Sequence, residues 1–145
     1  MQSACDLIKN DLIEAIRQRG KSDSYIDRSE EREILQLALQ KGLMLDQGHQ
    51  ILLEVCGQSH YIMESHLLED LLEQIKTFAK SGNGLTEKFF LELTKMLLSN
   101  SKGYLQTQNA QEMIISLIED NGFEIETGFF GNNWFLKIKK SLKLA

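Results

Sequence analysis

Proline is absent from the 145-residue sequence, and aromatic residues make up only 8% of it. Because proline interrupts helices and marks loops, its absence disfavours a loop-rich fold and favours helical structure. Only two cysteines occur, Cys5 and Cys56, and their spacing matches neither a metal-binding motif nor the disulfide framework of a small secreted domain. We therefore expect reduced thiols and a cytoplasmic protein.

The chain also lacks long apolar runs and an excess of basic residues. No apolar segment approaches the roughly 20 residues that a membrane-spanning helix needs, and the N-terminal residues lack the basic start of a secretory signal peptide. A formal charge of −5 disfavours a protein whose main task is to bind nucleic acid or an anionic membrane. We expect no insertion into a membrane.

The composition is that of a folded protein, with 42% apolar and 26% charged residues. This length suits one hydrophobic core, so we predict a single domain over residues 1–145. It is expected to comprise a helical bundle over residues 1–121 and a β-hairpin over residues 122–141 that packs on the bundle. The predicted fold class is mainly α with a C-terminal β-hairpin.

Six segments repeat their apolar residues at three- and four-residue spacing, which is the pattern of amphipathic helices. Asp27 and Glu30 have the spacing of a helix-capping box, and Thr86 is a candidate N-cap. Turns that contain glycine separate most of these segments. The predicted helices cover residues 4–18, 28–41, 45–56, a fourth segment that starts between 60 and 65 and ends at 80, a fifth that begins after Thr86, and 107–120.

Toward the C-terminus the apolar period changes to two. Residues 123–127 alternate apolar and polar side chains, and so do residues 134–139, which is typical of strands. The residues between them include Gly131, Asn132 and Asn133, which tolerate positive φ and favour a hairpin turn. A loop with an even number of residues then puts Trp134 against the helices and Phe135 on the outward, charged face.

The predicted hairpin carries the candidate binding residues. Residues 127–145 contain four lysines and no acidic residue. Exposed aromatic side chains often anchor a protein partner. The predicted partner-binding residues are Phe130, Phe135, Lys137 and Lys139.

One turn suggests a relationship to a known family. The segment 79–87 places small residues and Gly82 before an apolar-polar-acidic run between two predicted helices, and residues 42–46 repeat part of this pattern. In these features residues 30–98 resemble the TerB-like helical domains. The resemblance implies an all-helical module used in stress-response or membrane-associated assemblies, without established catalysis. Ser81 stands where that family has an aspartate, so we expect no metal at this turn.

No constellation of catalytic or metal-ligating residues is evident. The densest set of possible ligands is His60, Glu64, His66 and Asp70. On one continuous helix its two histidines would point in different directions, so the set would not converge on one ion. Cys56 shares a helix face with His49, but a cysteine nucleophile also needs an orienting group and oxyanion donors. We predict that Cys56 packs in the core, and we expect no metal, cofactor or catalytic residue.

Three functions remain open from the sequence, of which the third is a hydrolase or redox enzyme centred on Cys56. The favoured one is a non-enzymatic interaction or adaptor module of unknown pathway, with a stress-related role implied by the resemblance. It would bind a protein partner that the sequence does not identify, and a homodimer is also open. The alternative is a small winged-helix-like regulator that binds nucleic acid through the hairpin. Glu112, Glu119 and Asp120 disfavour it, because the helix that would enter the groove carries these charges.

Overall fold

The computed structural model describes residues 3–127 and 133–144. These residues form seven α-helices and two short strands. The elements in chain order are α1 (Ala4–Gly20), β1 (Tyr25–Ile26), α2 (Arg28–Gln40), α3 (Leu45–Ser59), β2 (Ile62–Met63), α4 (Glu64–Ala79), α5 (Glu87–Asn100), α6 (Thr107–Asp120) and α7 (Trp134–Ser141). The prediction of a mainly helical protein is confirmed.

The chain divides into two compact units, Met1–His66 and Leu67–Ala145. Each unit has a hydrophobic core of its own. The boundary falls within the first turn of α4, which starts in one unit and continues into the other. The prediction that residues 1–145 form a single domain stays a prediction.

The first unit buries the apolar faces of α1, α2 and α3. Its core consists of Leu12, Ile16, Ile26, Ile34, Ala38, Ile51, Leu52, Val55, Cys56 and Met63. Gly48 on α3 permits a close approach to α2, because a Cβ atom there would lie only 2.7 Å from the Cβ of Ala38. The two strands pair in parallel, with Tyr25 opposite Ile62 and Ile26 opposite Met63.

The predicted capping box fixes the start of α2. The side chain of Asp27 accepts a hydrogen bond from the Glu30 backbone N–H at 2.8 Å. The Glu30 carboxylate in turn accepts from the Asp27 backbone N–H at 3.1 Å. These bonds satisfy two donors that a helix start otherwise leaves unpaired, so α2 begins where the sequence predicts.

The second unit packs α5, α6 and α7 together with the part of α4 that belongs to it. Its core consists of Leu71, Ile75, Leu85, Phe90, Leu93, Leu97, Leu105, Ala110, Ile114, Ile115, Ile118 and Trp134. The Thr86 side chain accepts from the Phe89 backbone N–H at 3.1 Å, so the predicted cap of α5 is confirmed.

A close backbone contact joins the turn before α5 to the segment after α6. Leu85 and Ile125 form an isolated parallel bridge, in which the Leu85 N–H donates to the Glu124 carbonyl at 2.9 Å. Gly84 precedes this bridge with a φ of +77°, and a Cβ atom there would lie 3.0 Å from the backbone nitrogen of Glu126. Glycine is therefore required at this position for both conformation and space.

The predicted C-terminal hairpin is wrong over its second strand. Residues 134–139 belong to α7, and of the predicted first strand only Ile125 takes part in a bridge. The short window 134–139 fits a period of two, but Trp134, Ile138 and Leu142 also recur every four residues and pack against the second core. The Asn133 side chain accepts from the Leu136 backbone N–H at 3.0 Å and starts the helix. The predicted turn residues 131–132 lie outside the described residues.

Candidate functional site

Helix α7 is fixed to the second unit by Trp134. This side chain is only 5% exposed, and its indole N–H donates to the Glu126 carbonyl at 2.8 Å. Its ring packs beside Phe90 with 5.5 Å between the ring centroids. The prediction that Trp134 faces the core is confirmed, although a helix rather than a strand puts it there.

Two of the predicted partner-binding residues are engaged within the second unit. Phe135 is half-buried, packs against the core and meets Trp134 edge to face at 5.6 Å. Lys139 lies over the Phe135 ring at 5.7 Å and forms an ion pair with Glu119 at 2.7 Å. The predicted outward position of Phe135 is therefore corrected, because α7 turns this residue toward the core. Phe130 lies outside the described residues.

The opposite side of α7 is exposed and basic. Leu136 and Lys140 are four residues apart and share a side of the helix, and Lys143 is exposed just beyond the helix end. Leu136 is 38% exposed and Leu144, just beyond the helix, is 45% exposed. Lys137 is exposed beside them. We call Leu136, Lys137, Lys140, Lys143 and Leu144 the α7 face.

The end of α7 fixes the position of its last lysine and leucine. The Leu144 N–H donates to the Lys139 carbonyl at 2.8 Å, and the Lys143 N–H donates to the Lys140 carbonyl at 3.1 Å. Lys143 has a φ of 62°, so the helix closes with the left-handed residue of a Schellman motif. The backbone thus fixes the course of the chain at the end of the α7 face.

Sequence reasoning identified only part of the α7 face. Lys137 was among the predicted binding residues, but Leu136, Lys140, Lys143 and Leu144 were not. The available signal was the four-residue spacing of Trp134, Ile138 and Leu142, which places Lys137 and Lys140 on the other side of a helix.

Cys56 is a core residue, as predicted. Its side chain is 4% exposed within the first core. Burial, with a smaller contribution from the negative charge of Glu31, raises the pKa of the Cys56 thiol to about 11. His49 lies on the surface with Nε2 4.0 Å from Oε1 of Glu31. A protonated, buried thiol is a poor nucleophile, so this geometry does not favour cysteine chemistry.

Two of the four candidate metal ligands take other roles, while His66 and Asp70 lie exposed on α4. Glu64 is buried and its Oε2 accepts a hydrogen bond from the Tyr25 hydroxyl at 2.8 Å. His60 ends α3 in the left-handed conformation, with a φ of 59°. Over residues 3–127 and 133–144, no group of three or more His, Cys, Asp or Glu side chains is placed to hold a metal ion.

Comparisons with protein-family models, curated proteins and solved structures find no match to this chain. The resemblance of residues 30–98 to TerB-like domains therefore stays a prediction. In the described part of the chain, no helix combines the length and apolar character needed to cross a membrane.

Proposed function

We propose that the chain is a non-enzymatic interaction module that binds an acidic protein surface through the α7 face. The observation that carries the proposal is the composition of this face: three exposed lysines beside two exposed leucines, with no acidic residue within residues 133–144. In a protein with a formal charge of −5, a segment with four lysines and no acidic residue over residues 133–144 makes the surface polarised. Charge complementarity would steer an acidic partner to this helix, and the leucines would add apolar contact.

A protein partner fits α7 better than a lipid surface does. A helix that lies in a membrane interface buries a wide apolar face among the lipids. In α7 that face belongs to the core of the second unit, where Trp134, Phe135 and Ile138 are packed. Leu136 and Leu144 alone offer little apolar area for insertion, whereas they suit the small apolar centre of a protein interface.

The winged-helix alternative loses its structural basis. A wing needs two strands, and the segment assigned to the second strand is α7. Lys139, which would have contacted phosphate, is paired with Glu119. Glu112 and Asp120 on α6 add negative charge to the helix that precedes α7.

The test compares two triple variants with the same change of charge. The first replaces the lysines of the α7 face, as K137Q, K140Q and K143Q. The control replaces three exposed lysines elsewhere in the second unit, as K88Q, K95Q and K102Q. Each protein is used as bait in extract from the cells that naturally contain it, and a captured acidic protein is then purified and titrated by calorimetry.

We expect one acidic partner that binds wild type and the control triple equally and binds the α7 triple at least about tenfold more weakly, since several charged contacts are lost. This binding should weaken as salt is added. Equal affinity for both triples would contradict the proposal. Binding of the wild type to phosphatidylserine vesicles that is lost in the α7 triple would instead assign the α7 face to membranes.

A further inference from the structure

The first unit has a groove beside α2 that the proposed function does not use. It is a shallow groove of about 410 Å³, open to solvent, between α2, the first residue of α3 and the start of α4. The residues that carry its chemistry are Arg28, Arg32, Leu35, Leu39, Leu45 and Ser65. We call this set the α2 groove.

Two arginines form the polar side of the α2 groove. Arg28 and Arg32 are one helical turn apart, both are exposed, and neither has an ion pair in the described part of the chain. Arg28 also occupies the first position of α2, where the helix dipole disfavours a cation. The pair is thus available to an anionic group, and guanidinium groups bind carboxylates with two parallel hydrogen bonds.

The acidic residues of α2 already have partners of their own. Glu33 pairs with Arg19 at 2.8 Å, and Glu30 accepts from the Asp27 backbone. Glu31 also lines the groove, with its carboxylate 4.0 Å from His49. Two cations face one carboxylate in the groove, so its balance of charge favours an acidic ligand.

Leucines form the apolar side of the α2 groove. Leu39 is 51% exposed and Leu45 is 53% exposed, and Leu35 on α2 is half-buried and also lines the groove. Leu35 and Leu39 are four residues apart and therefore lie along one side of α2. A bulky apolar side chain placed here would bury surface that is now in contact with water.

A buried hydroxyl completes the set of groups. Ser65 lines the α2 groove, and its Oγ atom is shielded from solvent and has no hydrogen-bond partner in the described part of the chain. A buried hydroxyl without a partner destabilises a fold, and a ligand oxygen in the groove would satisfy it once the Ser65 side chain rotates its hydroxyl toward the groove. Such a hydroxyl donates to a carboxylate.

We propose that the α2 groove binds a peptide segment of a partner protein through a carboxylate beside a bulky apolar side chain. The carboxylate is held by Arg28 and Arg32 and accepts from Ser65, while the apolar side chain packs on the three leucines. This site uses no residue of the α7 face, so the proposal can be tested independently of the proposed function.

The test titrates the full chain with a short fluorescein-labelled peptide. In this peptide, glutamates and leucines recur every three or four residues, the spacing of one helix face. A second peptide carries glutamine in place of each glutamate. Three variants probe the groove: R28Q with R32Q, L39S and S65A. Matched controls change two other exposed cations of the first unit, as R17Q with K21Q, and an equally exposed leucine of α1, as L7S.

We expect the acidic peptide to bind wild type and both controls equally, and to bind R28Q/R32Q at least about tenfold more weakly because charged hydrogen bonds are lost. The glutamine peptide should show the same weakening. S65A should raise the melting temperature of the free protein and yet weaken peptide binding about threefold or more, since a role in the fold alone would not reduce affinity.

Several results would overturn the proposal. One is the absence of binding at millimolar peptide. Another is an equal loss of peptide affinity in the groove variants and in their controls. A loss confined to the α7 triple would place the peptide on the α7 face instead of the α2 groove. If R28Q/R32Q fails to fold, L39S against L7S decides the question, because both leucines are about equally exposed.

Discussion

At the scale of single residues, burial rather than residue type decides the chemistry. Cys56 and Tyr25 are potentially reactive groups, but one is packed in a core and the other donates to a buried carboxylate. Arg28, Arg32 and Lys140 belong to residue types that usually form surface ion pairs, yet they lie on exposed surfaces with no ion pair of that kind in the described residues. Both proposed contact surfaces follow from this difference.

The raised pKa of Cys56 predicts a pH dependence of stability. The unfolded chain releases this proton at an ordinary thiol pKa of about 8.5, whereas the folded protein holds it until about pH 11. The folded state therefore has its full stability below the unfolded pKa and loses part of it as the pH rises toward 11. We expect the free energy of unfolding, measured with urea from pH 8 to 11, to decline less steeply for Cys56→Ala than for wild type.

The exposed Cys5 supplies the control for this measurement. Cys5→Ala should keep the wild-type dependence of the unfolding free energy on pH, because it removes a thiol that belongs to neither core. Lysines and tyrosines titrate in the same range, so the difference between variants is the quantity to compare. If the free energy of unfolding declined equally with pH for Cys56→Ala and for wild type, the raised pKa of Cys56 would be contradicted.

At the scale of elements, α7 depends on its aromatic contacts with the second core. Trp134→Ala should lower the free energy of unfolding by about 3 to 5 kcal/mol, because it empties a large core site and removes a partly buried hydrogen bond. Phe135→Ala should cost about 1 to 2 kcal/mol, since that ring is only half-buried. Urea denaturation followed by circular dichroism measures both.

The exposed neighbour provides the comparison for these aromatic variants. Leu136→Ala should change the unfolding free energy by less than about 0.5 kcal/mol, as surface substitutions usually do. A Trp134→Ala protein as stable as wild type would show that α7 is not held by this side chain. If Phe135→Ala lowered the unfolding free energy as little as Leu136→Ala does, Phe135 would point outward, as the period of two predicted.

At the scale of the whole molecule, the balance of charge opposes binding to nucleic acid. The chain carries a formal charge of −5, and Lys139 is already neutralised by Glu119. We expect no measurable affinity for a fluorescein-labelled DNA duplex at physiological ionic strength, as read by fluorescence anisotropy. Salt-sensitive duplex binding that disappears in the K137Q, K140Q and K143Q triple would revive the nucleic-acid hypothesis.

The two units build their cores from different elements of the chain. The first uses α1 to α3 and a pair of two-residue strands, and the second uses α5 to α7 with much of α4. No periodicity marks the strands, because two residues are too few to show alternation. They were absent from the sequence prediction for that reason, and only the parallel pairing of Tyr25 with Ile62 reveals them.

The sequence by itself determined α1 to α6, because their signals are local. Caps such as Asp27 and Thr86 act on backbone groups three residues away, and apolar spacing within each segment defines the buried side. The burial of Cys56 was also predicted from the sequence and is confirmed, whereas the burial of Trp134 was predicted for a strand and is found in a helix. These interactions need no information from distant parts of the chain.

Only the tertiary structure decided the form of residues 134–141 and the groups that meet at the α2 groove. The apolar residues of α7 fit both a strand and a helix, and packing of Trp134 and Ile138 on the second core selects the helix. The α2 groove joins Arg32, Leu45 and Ser65, which belong to three different elements. Contacts between residues far apart in sequence depend on how the helices pack, and no local pattern encodes that arrangement.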